Sequence, residues 1–313
     1  IFPLTAEDPK IKEFYERALE NNNFFATYDA YAFTHADVVI VDVNLDVKKN
    51  SNTDFSLNSF DVDLSGFKKA IQSIGKNINE NTLILVETTV PPGTCKEVVK
   101  KILDEELLAR NIPLDKYFLG HSYERVMPGP EYINSIKSYP RVFAGINSES
   151  AEKVLEFLKT IIDIDDCELT KLDSTNASEM AKVLENSYRA SNISFIVEWT
   201  RFAERAGVNL YEVINAIRVR KTHSNIMYPG IGVGGYCLTK DPLLASWSNN
   251  NFFESTNPLS ISEDSVSNND QMPRYAYKRL LEEFGPLSSK KVLFLGVSYR
   301  GDVGDTRFSP VEG

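Results

Sequence analysis

The first half of the chain alternates short apolar runs with amphipathic segments. The run at residues 36–43, ADVVIVDV, is rich in β-branched residues and is typical of a strand buried on both faces. Apolar runs predict further strands at 82–87, 117–120 and 141–146. Helical spacing of apolar positions predicts helices at 11–20, 65–78, 94–110 and 150–162. This alternation indicates an α/β fold, a doubly wound Rossmann-like domain with a parallel sheet, whose ligands bind beyond the carboxyl ends of the strands.

The second half of the chain is predicted to be mainly helical. Residues 174–206 contain neither glycine nor proline, so they predict one helix about 50 Å long at 1.5 Å per residue, ended by Gly207. Apolar residues recur on most of its turns, which indicates burial against its own domain or a second subunit. Further helices are expected at 210–220, 238–247 and 272–283, with a polar surface segment at 249–269.

These patterns divide the chain into three expected domains. They are a Rossmann-like domain at 1–168, a central helical domain at 169–287 and the start of a second Rossmann-like domain at 288–313, where KVLFLGV predicts a buried strand at 291–297. No GxGxxG turn precedes Ala36. Because that turn binds the pyrophosphate of a dinucleotide, either the domain binds no dinucleotide or its first strand and turn are missing. In both cases we expect a polypeptide limited to these residues to bind a dinucleotide weakly.

Composition and charge narrow the functional classes. The formal net charge is -10, and lysine and arginine are scattered, which argues against a nucleic-acid-coating role. The three cysteines, Cys95, Cys167 and Cys237, are far apart, so we expect no disulfide framework, no metal site and a reducing, cytoplasmic location. No membrane span or signal peptide is expected.

The stretch 229–242, PGIGVGGYCLTKDP, has the strongest chemical pattern. Its glycines allow a loop that approaches a ligand closely, and the loop leads to Cys237 near the start of the helix predicted at 238–247. Asp241 follows one helical turn later. A thiol near a helix N-terminus with a carboxylate one turn away suits covalent catalysis followed by attack of water. The same pattern is also typical of a structural cysteine in a glycine-rich turn.

Polar motifs also follow two of the predicted strands. Residues 87–94, ETTVPPGT, form either a site loop or a rigid connector, with Thr94 as a candidate cap for the next helix. Residues 121–130, HSYERVMPGP, present either a site carboxylate or a solvated Glu-Arg pair. On the long helix, Lys182, Asn186 and Arg189 form a polar stripe, which is usually a solvated face.

Together these motifs resemble the UDP-glucose/GDP-mannose dehydrogenase family, the nucleotide-sugar 6-dehydrogenases. The similarity is carried, in family order, by ADVVIV, ETTVPPGT, SYERVMPG, STNASEMAKVLENSYRASN, GIGVGGYCLTKDP and LGVSYRGDVGDTRFSP. The resemblance implies oxidation of the C6 alcohol of a UDP-sugar to a carboxylate by two NAD, in polysaccharide or glycan precursor synthesis. It also implies a homodimer, or a higher homo-oligomer, formed through the long helix.

The resemblance assigns roles to individual residues. Cys237 matches the catalytic cysteine, which forms a thiohemiacetal and then a thioester, and Asp241 matches the carboxylate that acts with water. Lys182 and Asn186 match donors to the oxyanion, Glu124 an acid in thioester hydrolysis, and Thr89 a residue near the reactive water. The implied cofactor-binding residues are Val43, Glu87, Thr88 and Arg307. The implied substrate-binding residues are Arg125, Val126, Tyr228, Gly232, Gly234, Gly235, His223 and Arg300.

Some residues depart from the family pattern, and these departures bear on which sugar is the substrate. Residues 41–45 read VDVNL where better-known members have CVPTP, and Tyr123 replaces a proline. His223 lies near the place where many relatives have a sugar-contacting arginine from the neighbouring subunit. The form SYERVMPG is closer to members that act on N-acetylated sugars, so we expect a UDP-N-acetylhexosamine. The alternatives are a single-step hydroxyacid-type dehydrogenase and a non-catalytic dimeric scaffold, neither of which needs Cys237.

Overall fold

The computed structural model describes residues 8–127, 129–165, 167–299, 301 and 303–311. The strands are β1 Val38–Val41, β2 Asp46–Ser51, β3 Leu57–Asp63, β4 Leu83–Val86, β5 Phe118–Ser122, β6 Arg141–Gly145 and β7 Leu169–Lys171. The helices are α1 Pro9–Glu20, α2 Ser65–Asn77, α3 Lys100–Ala109, α4 Tyr132–Lys137, α5 Ser148–Leu158, α6 Thr175–Ala206, α7 Leu210–Arg218, α8 Asp241–Asn251, α9 Ser260–Asp270 and α10 Met272–Phe284. Shorter 3-10 segments lie at Ala30–His35, Lys221–His223 and Leu287–Ser289, and a π-helical turn at Cys95–Val99.

The chain forms two compact units. Unit 1 comprises Ile1–Asp46 and Asp63–Val183, and unit 2 comprises Val47–Val62 and Leu184–Gly313. The division into three domains remains a prediction, because two compact units do not show where the domains of a family begin and end.

Unit 1 is built on a five-stranded sheet in the order β1-β4-β5-β6-β7. The pairs β1–β4, β4–β5 and β6–β7 are parallel, as the alternating pattern predicted. The expectation of a wholly parallel sheet is wrong at one pair, because β5 and β6 are antiparallel. The connection between them contains only the short helix α4, so it does not carry the chain back across the sheet as a parallel crossover requires.

The burial of β4 and β5 agrees with the apolar runs that predicted them. Every residue of β4 and β5 is buried, in keeping with a sheet covered on both faces. One core cluster of this unit joins the sheet to α5 and contains Leu83, Leu85, Phe118, Phe143, Val154, Leu158, Ile162 and Cys167. Two strand glycines allow α5 to approach closely. A Cβ on Gly120 would lie 2.3 Å from the Val154 side chain, and one on Gly145 would lie 2.2 Å from the Ala151 nitrogen.

Unit 2 is mainly helical and has a core formed by Ile196, Ala203, Leu210 and Ile214. The helix predicted at 174–206 is confirmed as α6, and Gly207 follows it with φ +67°. The segment predicted as a polar surface at 249–269 contains α9, a helix that was not predicted. Only Ser265 and Val266 of that helix are buried, so its sequence carries almost no apolar periodicity.

Of two further predictions in unit 2, one is displaced along the chain and the other is wrong. The helix predicted at 238–247 begins three residues later, at Asp241, because residues 238–240 form a turn. The strand predicted at 291–297 has no strand geometry, and Leu293 and Leu295 are 80% and 88% exposed. An apolar run forms a strand only where a neighbouring strand accepts its hydrogen bonds, and no such pairing lies among the described residues there.

A two-stranded sheet of β2 and β3 also belongs to unit 2 and was not predicted, because these strands are polar. Asp61 accepts a hydrogen bond from the Trp247 indole at 2.8 Å, and Lys49 pairs with Asp270 at 2.6 Å. These contacts hold the two strands on α8 and α9. Among the helices that the structure describes, none is both long and apolar enough to cross a membrane.

Candidate active site

In unit 1, the first turns of α6 contact the carboxyl ends of β4 and β5. Ser178 hydrogen-bonds the His121 ring at 2.8 Å, and Glu179 accepts from the backbone that follows β4. Lys182 donates to the carbonyl oxygen of Glu124 at 2.8 Å, just beyond β5. Since ligands of α/β sheets bind beyond the carboxyl ends of the strands, these contacts lie where a site is expected.

Lys182 is held in a polar and aromatic environment. Besides the Glu124 carbonyl, its ammonium lies 3.7 Å from a Glu124 carboxylate oxygen and 5.3 Å from the centre of the Tyr123 ring. It is buried, which argues against the solvated face that spacing alone allowed at this position. A buried ammonium held by a carbonyl and an aromatic face can donate to a further oxygen nearby.

The segment after β5 holds three of the predicted site residues. The Glu124 side chain accepts a short hydrogen bond from the Val126 nitrogen. The Arg125 guanidinium donates to the Pro140 carbonyl at 2.5 Å and to the Tyr123 hydroxyl at 3.2 Å. Arg125 therefore fixes the shape of this segment, and its predicted substrate contact stays a prediction.

His121 and Glu179 are both fully buried and were not singled out from the sequence. Desolvation, with a smaller contribution from nearby Lys182, lowers the pKa of His121 to about 3. Desolvation raises the pKa of Glu179 to about 7, although hydrogen bonds from Cys95 and Gly93 act in the opposite direction. A buried polar residue next to a motif residue is visible only in three dimensions, because its sequence neighbours give no burial signal.

The loop after β4 carries Glu87, Thr88 and Thr89. Glu87 forms an ion pair with Arg141 at 2.7 Å, and burial raises the pKa of its carboxyl against the opposing charge of that arginine. Thr88 is buried and donates through its hydroxyl to the Val41 carbonyl at 3.3 Å. Thr89 is half-buried in the same loop. The three side chains therefore lie together at the carboxyl end of β4.

Val43 lines a cleft of about 390 Å³ beside β1. Its other walls include Asp42, residues 27–30, 32 and 33, and the α2 residues Ala70, Ser73 and Ile74. Sites for small ligands commonly measure about 300–1,000 Å³, so the cleft can accept part of a dinucleotide. The other residues predicted to bind the cofactor, Glu87, Thr88 and Arg307, are not part of its lining.

In unit 2, Asp241 is the centre of a buried charged cluster. One carboxylate oxygen accepts from the Lys240 ammonium at 2.8 Å, and the other accepts from the Asn186 amide at 2.7 Å. Asp241 is 1% exposed. The sequence analysis missed Lys240, because a lysine beside an aspartate is usually solvated. Its only sequence signal was its position between the candidate nucleophile and the candidate carboxylate.

Cys237 is exposed and lies four residues before the first residue of α8. Its carbonyl oxygen accepts from the nitrogens of Lys240 at 3.2 Å and Asp241 at 2.9 Å, which closes a turn. The thiol therefore precedes the helix by one turn instead of lying at its first residue. The turn places Cys237 and the Asp241 cluster on the same short segment.

The glycines of the loop before Cys237 are required by contacts within unit 2. Gly232 and Gly235 have φ values of +106° and +81°, which favour glycine. A Cβ on Gly234 would lie 2.6 Å from the Phe308 carbonyl oxygen, and one on Gly235 would lie 3.0 Å from the Tyr299 ring. The predicted sugar contacts of these glycines stay predictions.

Two other residues of unit 2 that were predicted to contact the substrate, Tyr228 and His223, have partners within this unit. The Tyr228 ring stacks on Tyr211 at 5.9 Å, lies under Arg218 at 4.7 Å and donates its hydroxyl to Asn215 at 2.7 Å. His223 is exposed in a 3-10 turn, with its ring 2.8 Å from the Thr222 hydroxyl.

Arg307 forms an ion pair with Asp305 at 2.7 Å and lies 5.5 Å from the Tyr236 ring centre. Arg300 lies outside the described residues. Among the residues that are described, no three His, Cys, Asp or Glu side chains are arranged to hold a metal ion.

Two family models match most of the chain. The NAD binding domain of the UDP-glucose/GDP-mannose dehydrogenase family matches residues 3–163, and the central domain of that family matches residues 176–269. A UDP-N-acetyl-D-mannosamine dehydrogenase of Methanococcus maripaludis is 30% identical over 311 residues, covering 98% of this chain. The chain spans 65% of the length of that relative.

Solved structures with related folds are also found. The UDP-D-ManNAc dehydrogenase of Pyrococcus horikoshii superposes with a TM-score of 0.78 at 26% identity, covering 97% of this chain and 68% of the other. A UDP-glucose dehydrogenase of Pyrobaculum islandicum superposes with a TM-score of 0.79 at 27% identity, covering 98% of this chain and 67% of the other. The expected α/β fold with a long central helix is therefore confirmed.

Proposed function

This chain belongs to the UDP-glucose/GDP-mannose dehydrogenase family, and on that premise we propose that the protein oxidises the C6 hydroxyl of a UDP-sugar to a carboxylate with NAD as the acceptor. The observation that carries the proposal is the buried Asp241 carboxylate, held by Lys240 and Asn186 one turn after the exposed Cys237. Buried charges beside a nucleophile are typical of catalytic sites.

NAD, when bound, supplies the hydride acceptor for two successive oxidations. Val43, Glu87 and Thr88 are the residues of unit 1 proposed to hold it, and Arg307 is proposed as a further contact. The match of residues 3–163 to the NAD binding domain of the family supports NAD binding by the region that contains the first three of these residues.

Cys237 is the proposed nucleophile for the second oxidation. Its thiolate sulfur forms a bond to C6 of the sugar aldehyde, and the carbonyl electron pair moves to the oxygen. Lys182 and Asn186 are proposed to donate hydrogen bonds to that oxygen. The ammonium of Lys182 has three donors and the amide of Asn186 has two, and the contacts given above use one of each.

Release of the product needs water. After the hydride has left C6, a water molecule attacks the resulting thioester, and the C6–S bond breaks to return the thiolate. Asp241 and Glu124 are the proposed acceptors of the water proton, with Thr89 orienting the water. The addition of the thiolate and the hydrolysis of the thioester then each have a named donor or acceptor.

The proposed sugar is a UDP-N-acetylhexosamine. Support comes from the SYERVMPG segment and from the relative in Methanococcus maripaludis, which is named a UDP-N-acetyl-D-mannosamine dehydrogenase. Arg125, Val126, Tyr228, Gly232, Gly234, Gly235, His223 and Arg300 are the proposed substrate contacts. We place the reaction in the cytoplasm, where nucleotide-sugar precursors of polysaccharides or glycans are made.

A homodimer through α6 is part of the same proposal. Several large apolar side chains of this helix are 44–64% exposed, namely Leu184, Tyr188, Phe195, Trp199 and Phe202. An exposed apolar stripe of this kind marks an interaction surface. Light scattering of Phe195→Glu should give a monomer where the unchanged protein gives a dimer, and an unchanged dimer would contradict this interface.

The proposed function is tested by measuring how many NADH molecules are released per molecule of sugar oxidised. The purified full-length protein, with NAD and a panel of UDP-sugars, should release about two NADH per sugar with an N-acetylhexosamine and form an acid. One NADH with an aldehyde product would indicate the single-step dehydrogenase instead. No NADH with any sugar would indicate the non-catalytic scaffold.

The test of the mechanism is Cys237→Ser. Because a hydroxyl is far less acidic than a thiol, turnover of the preformed C6 aldehyde should fall at least about a thousandfold, or about 4 kcal/mol at 1.36 kcal/mol per decade. Mass spectrometry should find a sugar adduct in Asp241→Asn and Glu124→Gln, in which hydrolysis is slowed, and none in Cys237→Ser. Unchanged aldehyde oxidation by Cys237→Ser would show that Cys237 is a structural cysteine.

A further inference from the structure

The loop that follows β4 is fixed at both of its ends. At its start, the Thr88 nitrogen and hydroxyl both donate to the Val41 carbonyl, at 3.2 and 3.3 Å. At its end, the nitrogens of Gly93 and Cys95 donate to the two carboxylate oxygens of Glu179, at 2.6 and 2.7 Å. The loop between these two anchors carries Thr89. One buried carboxylate therefore determines where the second half of the loop lies.

Glu179 also replaces the cap that the sequence predicted for the following helix. Thr94, the expected cap, donates its hydroxyl to the Pro91 carbonyl at 2.6 Å and caps nothing. Glu179 instead accepts the backbone N–H groups where the π-helical turn Cys95–Val99 begins. These groups have no partner within a helix, and a carboxylate bonds them more strongly than a hydroxyl does.

The same short stretch of α6 also positions Lys182. Glu179 and Lys182 are three residues apart, so they lie on neighbouring turns of one face of the helix. Lys182 is bonded to Glu124 after β5, while Glu179 is bonded to the loop after β4. The spacing between Thr89 and Lys182 therefore depends on this part of α6.

We propose that Glu179 is a positioning residue, which holds the Thr88–Thr89 loop at a fixed distance from Lys182 so that both can act on one substrate. The inference rests on the proposed function. Its geometry is independent of that function, because it concerns contacts within unit 1 only. Displacement of a catalytic group by about 1 Å can cost about a hundredfold in rate, so the expected loss is in turnover.

The test compares Glu179→Gln with Glu105→Gln, which changes an exposed carboxylate on α3. In Glu179→Gln the new NH₂ group opposes one of the two backbone donors. Amide hydrogen exchange at Gly93 and Cys95 should then accelerate at least about tenfold, and kcat should fall about 10- to 100-fold. The KM for the UDP-sugar should stay within about twofold, and Glu105→Gln should change none of these values.

The possible outcomes separate the two claims. Unchanged exchange at both amides would overturn the proposal that Glu179 holds this loop. Faster exchange with unchanged kcat, measured well below the melting temperature, would show a merely structural role and would also overturn the proposal. Absence of NADH from the unchanged protein would instead refute the proposed function. The exchange measurement would still show whether Glu179 holds the loop. If Glu179→Gln does not fold, Glu179→Asp keeps the charge but shortens its reach, and the same changes are expected.

Discussion

Two buried ionisable groups in unit 1 should give the protein opposing dependences of stability on pH. Glu179 has its pKa raised from 4.5 to about 7, so the unfolded chain loses this proton first as the pH rises. Its contribution to stability therefore falls between pH 4.5 and 7. His121 has its pKa lowered from 6.5 to about 3, so the unfolded chain gains this proton first as the pH falls. Its contribution therefore falls as the pH drops from 6.5 to 3.

The two effects overlap between pH 4.5 and 6.5. One proton changes the free energy of unfolding by about 1.36 kcal/mol per pH unit, so each group contributes about 3 kcal/mol across this window, with opposite sign. Glu179→Gln should therefore make the protein gain about 3 kcal/mol, relative to the unchanged protein, as the pH rises across the window. His121→Asn should make it lose about the same amount. The double variant should again follow the unchanged protein.

The assay is urea unfolding at half-unit pH steps, followed by circular dichroism. Both tryptophans, Trp199 and Trp247, belong to unit 2, so their fluorescence follows that unit separately. The groups that face the two residues are unchanged in every variant. They are Cys95 near Glu179, and Ser178, Tyr123 and Lys182 near His121. Parallel pH profiles of both single variants and the unchanged protein would refute the assigned pKa shifts.

Two further predictions concern unit 2. Lys240→Met leaves the buried Asp241 carboxylate without its cation and should cost about 3–5 kcal/mol in urea unfolding, whereas exposed Lys278→Met should cost less than about 0.5. Adding Asp241→Asn to Lys240→Met should recover most of that loss, and a simple sum of the two single costs would contradict the pairing. Gly234→Ala should lower stability by about 1–3 kcal/mol, because its Cβ would lie 2.6 Å from a carbonyl oxygen, while a Cβ on Gly230 meets no atom within 4 Å. Equal melting temperatures for the two glycine variants would contradict this packing.

Much of the fold was predictable because its strands are short apolar runs. β4 and β5 are fully buried, and their hydrophobic residues identify them without further context. The strands β2 and β3 were missed because their contacts with α8 and α9 are polar, as in the Lys49–Asp270 pair. The helix α9 was missed for the same reason. Local periodicity detects an element only when its stabilising contacts are apolar.

The candidate site was predictable where motif and chemistry coincided, as at Cys237 and Asp241. Lys240, His121 and Glu179 were not predictable as buried groups, because burial of a charge depends on elements that are distant in sequence. Glu179 accepts from Gly93 and Cys95, which precede it by more than 80 residues. The spacing of neighbouring residues in the sequence does not predict a contact between residues so far apart in the chain.

Buried charge gives an argument for the site that does not depend on the family motifs. Removal of an ionised side chain from water costs several kcal/mol, so proteins bury such groups mainly where they are paired or used. Glu179 and Lys182 are buried in unit 1, and Lys240 and Asp241 are buried in unit 2. Two of these four lie on α6 itself, and Asp241 is bonded to Asn186 of the same helix. Each unit thus accepts a cost in folding free energy at its own group of proposed site residues, as expected where buried charges are retained for chemistry.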